Sequence, residues 1–268
     1  MSTYRGVMST DTVALLRDHR ADYGYDGDYR VVPAPVVAGL TAATCAGLLL
    51  TSARLAARHR LTALAIGATG TLMTITAAMF IRTTRIGKFE VWARILSDLG
   101  LRGDETVLDM GCGRGAVLLA AAKLLPRGRA IGVDIWRADQ THNAESSTRA
   151  NAELEGVTDR VELHTADMTD LPLADNSVDV IVSSLAVHNI PSQAGRAQAI
   201  GEAARVLRPG GRLVLADLAE TGAHVRQLRA LGWTDARRRN LGWRMWWGPA
   251  MSTYLVTATK PQPALNLP

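Results

Sequence analysis

Cysteine is nearly absent from this chain: 268 residues carry two, Cys45 and Cys112, far apart and in unlike contexts. No disulfide framework can be built from them, and a reducing compartment is the default. Internal repeats and low-complexity segments are also missing. Acidic residues fall short of basic ones, 25 against 30, which leaves a net charge of +5. That excess is spread along the chain, and Arg237-Arg238-Arg239, the only tight basic run, reads as a solvated face, so no nucleic-acid partner is expected. Metal-ligand spacing is lacking as well. Asp26 and Asp28 sit in a loop-forming stretch, Asp22 to Asp28, but no Glu follows at the twelfth place of a calcium loop, and no metal is expected.

Charge is absent from two long stretches, Val31 to Ala53 and Leu61 to Ile81. Discounting Pro33 and Pro35, a first helix from about Val36 to Ala53 would span roughly 27 Å and the second roughly 31 Å, both near the thickness of a bilayer core. Residues 31–81 are therefore expected to form a two-helix membrane hairpin; a hairpin buried against the rest of the protein is the alternative. Small residues at Ala38, Gly39, Ala42, Ala43 and Ala46, with Gly67, Ala68 and Gly70 opposite, suit close helix packing in lipid. Arg17, Arg20, Arg30, Arg82, Arg85, Lys88 and Arg94 flank the hairpin, against Arg54, Arg58 and Arg60 in its turn. That asymmetry favours both ends on the cytoplasmic face of the inner or plasma membrane. The polar segment 1–30 before the first apolar run argues against a cleaved signal peptide.

What is present centres on Thr106 to Leu119, T-V-L-D-M-G-C-G-R-G-A-V-L-L. It reads as a buried strand, a glycine turn and a helix start, which brings backbone N–H groups up to a small molecule. Gly111, Gly113 and Ala116 also satisfy a dinucleotide fingerprint, with Asp134 near the place of a ribose acid. Asp109, two residues before the first glycine, separates the readings: a pyrophosphate gains nothing from a carboxylate there, whereas a cationic amino-acid-like ligand does.

Four motifs in order extend this. They are V-L-D-M-G-C-G-R-G at 107–115, A-I-G-V-D-I at 130–135, T-A-D-M-T-D-L-P-L-A-D-N-S-V-D-V-I-V-S-S at 165–184, and R-V-L-R-P-G-G-R-L-V-L-A-D at 205–217. The chain resembles the class I S-adenosylmethionine-dependent methyltransferases, of the membrane-anchored bacterial sort with a type 11 domain, over roughly Leu99 to Pro261. Arg114 departs from the pattern, where small or hydroxyl residues are commoner. The resemblance implies an α/β, Rossmann-like seven-stranded sheet, mostly parallel with the last strand antiparallel, preceded here by the transmembrane hairpin. Hydrophobic patterning places strands near 106–110, 129–134, 160–164, 178–184, 211–217, 232–239 and 252–259, and helices at 115–125, 139–155, 194–207 and 222–231. The expected organisation is a polar segment 1–30, the hairpin 31–81, a linker and amphipathic helix 82–98, the methyltransferase domain 99–261 and a frayed tail 262–268. On the amphipathic helix Ile86, Phe89, Trp92, Ile95, Leu96 and Leu99 share a face that packs over the donor pocket or lies at the membrane.

The resemblance also implies S-adenosyl-L-methionine as the methyl donor. Backbone groups around Gly111, Cys112 and Gly113 would approach it, and Asp109 would favour its ammonium. Asp134 would accept the ribose hydroxyls, Ile135 or Trp136 would pack on the adenine, and Asp167 and Met168 would bind its edge, with Ser183 lining the same site. His188 and Asn189 follow the fourth strand, where methyl and acceptor meet; His188 is either a general base or an orienting group. The loop is not of the N-P-P-Y type, which argues against nucleobase N-methylation. Trp243, Trp246 and Trp247, half of the six tryptophans, fall within five positions and suit an apolar substrate mouth or an interfacial belt. The expected activity is methyl transfer to a small lipophilic acceptor near the membrane. The alternatives are methylation of a polar metabolite or protein with the hairpin as tether, or a non-catalytic donor-binding scaffold.

Overall fold

In the computed structural model, residues 10–29, 31–137, 139–249 and 251–263 are described. Arg30, one of the charges flanking the hairpin, residues 1–9 of the polar segment and 264–268 of the tail lie outside them. Seven strands form one sheet: β1 (Thr106–Met110), β2 (Arg129–Asp134), β3 (Val161–Thr165), β4 (Val178–Ser184), β5 (Leu207–Asp217), β6 (Arg237–Asn240) and β7 (Tyr254–Thr259). Their order is β3-β2-β1-β4-β5-β7-β6. β7 runs antiparallel to both β5 and β6, and the other neighbouring pairs are parallel. The order reverses between β1 and β4, and in such sheets ligands bind in the crevice beyond the carboxyl ends of the strands at that point.

The central strands are apolar on both faces because both are covered. Leu108, Ile131, Ile181 and Leu215 face Ile200 and Ala203 of α7 (Gln193–Val206) and Leu228 of α8 (Thr221–Ala230). Their neighbours Val107, Val180, Val182 and Val214 face Leu118 and Leu119 of α5 (Ala116–Ala122) and Leu96 of α4 (Lys88–Leu99). α6 is shorter than its pattern predicts, Glu145–Glu155. Residues 139–144 form a loop instead, with His142 in the left-handed region at φ 53°. β6 is likewise only four residues long, because Gly232 turns the chain after α8 at φ 84°.

Before the sheet come α1 (Thr10–Arg17), α2 (Ala34–Leu55) and α3 (Arg60–Arg82). α2 and α3 pair as a hairpin, and each is long and apolar enough to cross a membrane; only 6% of the most apolar window of either is buried. Pro35 enters the first turn of α2, where its missing N–H costs nothing. The contact between the helices does not use the predicted small-residue stripe of α2. Ala38, Gly39, Ala42, Ala43 and Ala46 all face outward, and Cys45, Leu48 and Ser52 meet α3, where a Cβ on Gly70 would lie 3.0 Å from that of Leu48. The Ser52 hydroxyl donates to the Ala63 carbonyl at 2.7 Å, fixing the register.

The predicted linker 82–98 is helix throughout. A π-helical turn at Thr83–Gly87 joins α3 to α4 without a break. Its added residue shifts the helical phase. Ile86, assigned to the apolar stripe, therefore turns outward at 48% exposure, while Phe89, Trp92, Ile95 and Leu96 are buried. At Gly87 a side chain would collide with the carbonyl oxygen of Arg244, so this turn presses directly on the tryptophan-rich loop.

Candidate active site

β1 ends in a turn that only glycines allow. Gly111, Gly113 and Gly115 have φ of 74°, 49° and 88°, and a Cβ on Gly111 would run into that of Ala186. Asp134, at the end of β2, accepts the Gly113 N–H at 2.8 Å on Oδ2 and the Trp136 N–H at 2.6 Å on Oδ1. Each oxygen keeps a further lone pair for a ligand. Asp109 is 1% exposed, and its Oδ1 has no hydrogen-bond partner among the described residues. Burial, then the charge of Asp134, pushes its carboxyl up to about 8. A buried acid left unpaired in a pocket wall is costly unless a cation completes it. Cys112 lines the same wall; burial and the two acids push its thiol up, so it is inert.

These groups border a cavity of about 420 Å³. Ile135, Met168 and Asp167 line it, and Asp167 spends Oδ1 on the Thr169 N–H and hydroxyl at 2.9 and 2.8 Å. Trp136 does not line it; its indole donates to Thr165 Oγ1 at 2.7 Å. Ser183 also falls outside the lining. Strand alternation turns its hydroxyl into the sheet, where it donates to the Met110 carbonyl at 2.6 Å. Ser184 is the pocket serine and accepts the Trp92 indole N–H at 2.9 Å.

His188 and Asn189 both line the cavity, on a 3-10 turn after β4. Asn189 Nδ2 donates to Asp139 Oδ2 at 2.8 Å. His188 Nδ1 lies 2.5 Å from Oδ1 of Asp217, a buried carboxylate at the end of β5. Burial alone would lower the ring's pKa, but the hydrogen bond and charge of Asp217, with Asp139 beyond, raise it against a smaller opposing effect of Arg196. The last residue of the fourth motif thus has a site role that its position in the sequence does not reveal.

The remaining walls come from outside the sheet. A strap of residues 20–29 runs along the cavity, which Asp26, Gly27 and Asp28 line. The Asp26 carboxylate accepts from Lys88 Nζ at 2.8 Å and from the Thr84 hydroxyl. Arg114, the departure from the family pattern, is what anchors the strap: its guanidinium donates to the carbonyls of Asp22 and Thr141 at 2.5 and 2.9 Å. Glu155 holds the other end through the N–H groups of Arg20 and Ala21, both at 2.9 Å. Opposite, Phe80 from the last turn of α3 meets Trp247 edge-on, ring centroids 5.7 Å apart, and both line the cavity with Met251. Trp243 and Trp246 do not line it. Trp243 is 52% exposed, between the guanidinium groups of Arg82 and Arg244 at 4.2 and 4.7 Å from its ring, and Trp246 bridges to Ser252.

The pocket fits S-adenosylmethionine: a glycine cradle with no side chains, an unpaired acid for an ammonium, and an acid with free lone pairs at the end of β2. Comparison with known proteins agrees. Residues 108–215 match the methyltransferase domain family. The 27-O-demethylrifamycin SV methyltransferase of Amycolatopsis mediterranei is 37% identical over 126 residues, 46% of this chain and 42% of that protein. A ubiquinone/menaquinone biosynthesis C-methyltransferase of Dinoroseobacter shibae is 32% identical over 135 residues, 50% of this chain and 51% of that one. The solved complex of the Haloferax volcanii Trm112 methyltransferase activator with a methyltransferase shares the fold, at 21% identity and a TM-score of 0.51 over 63% of this chain and 88% of that chain. The chain spans about half or less of the curated relatives it matches. By its sheet order and its cradle the chain has the fold of the class I S-adenosylmethionine-dependent methyltransferases, and over residues 108–215 it carries a methyltransferase domain.

Proposed function

We propose that the protein transfers a methyl group to a small lipophilic acceptor at a membrane, from the cytoplasmic face, with α2 and α3 as its anchor. The observation that carries this reading is the shared wall. Phe80 belongs to the exposed apolar helix α3, yet it closes the same cavity that Asp109 and Gly111 open. An acceptor bound against Phe80, Trp247, Met251 and Leu218 meets an apolar surface within reach of the donor cradle. The outward apolar residues of α3, Leu72 and Ile75 among them, continue that surface away from the domain. Trp243, between Arg82 at the end of α3 and its own neighbour Arg244, has the make-up of an interfacial anchor.

S-adenosylmethionine supplies an electrophilic methyl on a sulfonium. The protein's share is to hold the acceptor in line and exclude water, as positioning and desolvation require. Asp109 and Asp134 would hold the donor; His188 and Asn189 would face the acceptor. The detergent-purified protein, methyl-labelled donor and a total membrane extract test the reading. Label in the organic phase is the expected result, and label confined to aqueous products would overturn the lipophilic acceptor.

A further inference from the structure

We propose that β6, the 3-10 turn Gly242–Met245 after it and the end of α3 form one basic face that docks on anionic phospholipid headgroups of the membrane holding the hairpin. The inference rests on the anchor proposed above and names the lipid that this face selects.

β6 reads R-R-R-N, and all four residues are exposed. It closes the strand order, so only β7 bonds to it and its outer edge is unpaired among the described residues. Charge on such an edge prevents pairing with another chain, but one charge of either sign serves that purpose. Here three of one sign stand in succession. Among the described residues none of them forms an ion pair: Arg238 stacks on Tyr254 at 4.3 Å and donates to the Thr221 hydroxyl at 3.3 Å. Asp235, the nearest acid in sequence, accepts the Thr259 N–H instead.

The strand carries these charges toward the hairpin. Asn240 pairs with Tyr254, and Tyr254 with Asp217, so β6 rises toward the end of the sheet where β5 finishes. At that end Arg244 presses on Gly87 of the π-helical turn. The basic run continues there. Arg82 closes α3 directly after the uncharged stretch Leu61 to Ile81, and Arg85 follows in the next turn. Arg82 and Arg244 share one carboxylate, Glu90, at 3.1 and 3.3 Å, and hold the half-exposed Trp243 between them. Arg85 meets Asp22 at 3.4 Å, an acid that also pairs with Arg114 at 3.7 Å. Six arginines thus stand against two carboxylates, and one of those is shared with a seventh.

An anionic leaflet supplies the missing charge, and each arginine near its surface favours contact roughly fivefold. Guanidinium groups suit phosphate oxygens, and a tryptophan beside them suits headgroup depth. A nucleic acid also offers phosphates, but the position of this face, at the end of an apolar span, matches the depth of lipid headgroups.

Hydrogen exchange of the full chain in nanodiscs reads the contact. In discs of equal parts phosphatidylglycerol and phosphatidylcholine, amides of 237–248 should exchange roughly threefold or more slowly than in phosphatidylcholine alone. NaCl at about 1 M, where the screening length is about 3 Å, should remove the difference. The double variant Arg237→Gln, Arg239→Gln should remove it as well. Both side chains are exposed, so its S-adenosylhomocysteine affinity should stay within about twofold, which checks the fold. Equal exchange in the two discs, or slowing that survives salt and the double variant, overturns the docking. Slowing in phosphatidylcholine discs by added polyuridylate, with none from phosphatidylglycerol, would give the face to nucleic acid instead. A chain that enters neither disc overturns the anchor and this face together, whereas one that enters both without an exchange difference loses only the face.

Discussion

Helix α5 and the hairpin helices are all largely apolar, and they meet opposite surroundings. α5, A-V-L-L-A-A-A, buries Val117 through Ala122 between β1, β2 and α4. α2 and α3 are also largely apolar, yet Leu40, Leu64, Leu72 and Ile75 stand more than half exposed. A strand–helix–strand unit brings its own sheet for the helix to cover, whereas a hairpin offers each helix only its partner. Apolar composition thus specifies that a surface leaves water, and topology decides what receives it.

The contrast can be broken by mutation. Leu118→Ala, at a position with no exposure, should cost about 2–5 kcal/mol in denaturant unfolding of the detergent-solubilised protein. Leu72→Ala, 58% exposed, should stay within about 0.5 kcal/mol in the same measurement. Leu72→Arg should instead weaken membrane insertion by about 3 kcal/mol, read by vesicle flotation. Equal unfolding costs for the two alanine variants would mean that the hairpin is a buried element.

A second prediction separates donor binding from anchoring. Asp134→Ala removes a carboxylate that orders two backbone N–H groups and presents its remaining lone pairs to the cavity. At about 1.5–3 kcal/mol for a charged hydrogen bond, donor affinity should fall roughly 10- to 100-fold by calorimetry, with flotation unchanged. Undiminished affinity would remove the cradle from the donor site.

A pH profile sharpens the comparison at one atom. Asp109 keeps its proton up to about pH 8 in the free protein, and an ammonium needs the carboxylate. Donor affinity should therefore rise up to about tenfold per unit between pH 6 and 8 and then level off, with proton release visible as a buffer-dependent heat. The same raised pKa makes the donor-free fold lose stability as pH rises from the unfolded value near 4 toward 8, because the folded state holds the extra proton. Asp109→Asn should flatten both profiles; a slope that survives it would assign the proton elsewhere.

The glycine-turn half of the candidate site is legible in the sequence because its requirements are local. A left-handed turn selects glycine, and Asp109 and Asp134 stand at fixed offsets from strand ends. Ser183 is misassigned from sequence because strand parity decides between it and Ser184, and one residue reverses the face. Ile86 leaves its predicted stripe because a π-helical turn changes the phase that the pattern assumes. The outward alanines of α2 show that small residues permit close packing without choosing the face that packs. Asp217 and the strap depend on contacts 29 to more than 100 positions apart, which periodicity does not carry. Arg114 is the one available sign of the strap: an arginine in a turn that does not need one.

The unbroken helix from Arg60 to Leu99 carries its own consequence. One end bears the outward apolar face, and the other bears Phe89 and Trp92 in the cavity wall. With no hinge between them, rotation at one end is rotation at the other. Each residue added to an α-helix turns the remainder of the helix by about 100°. A single insertion between Gly70 and Phe80 would therefore swing the cavity away from whatever surface holds the hairpin, while leaving every residue of both intact. The helix thus acts as a driveshaft, and the catalytic domain's aim is set by a length in residues as firmly as by any side chain.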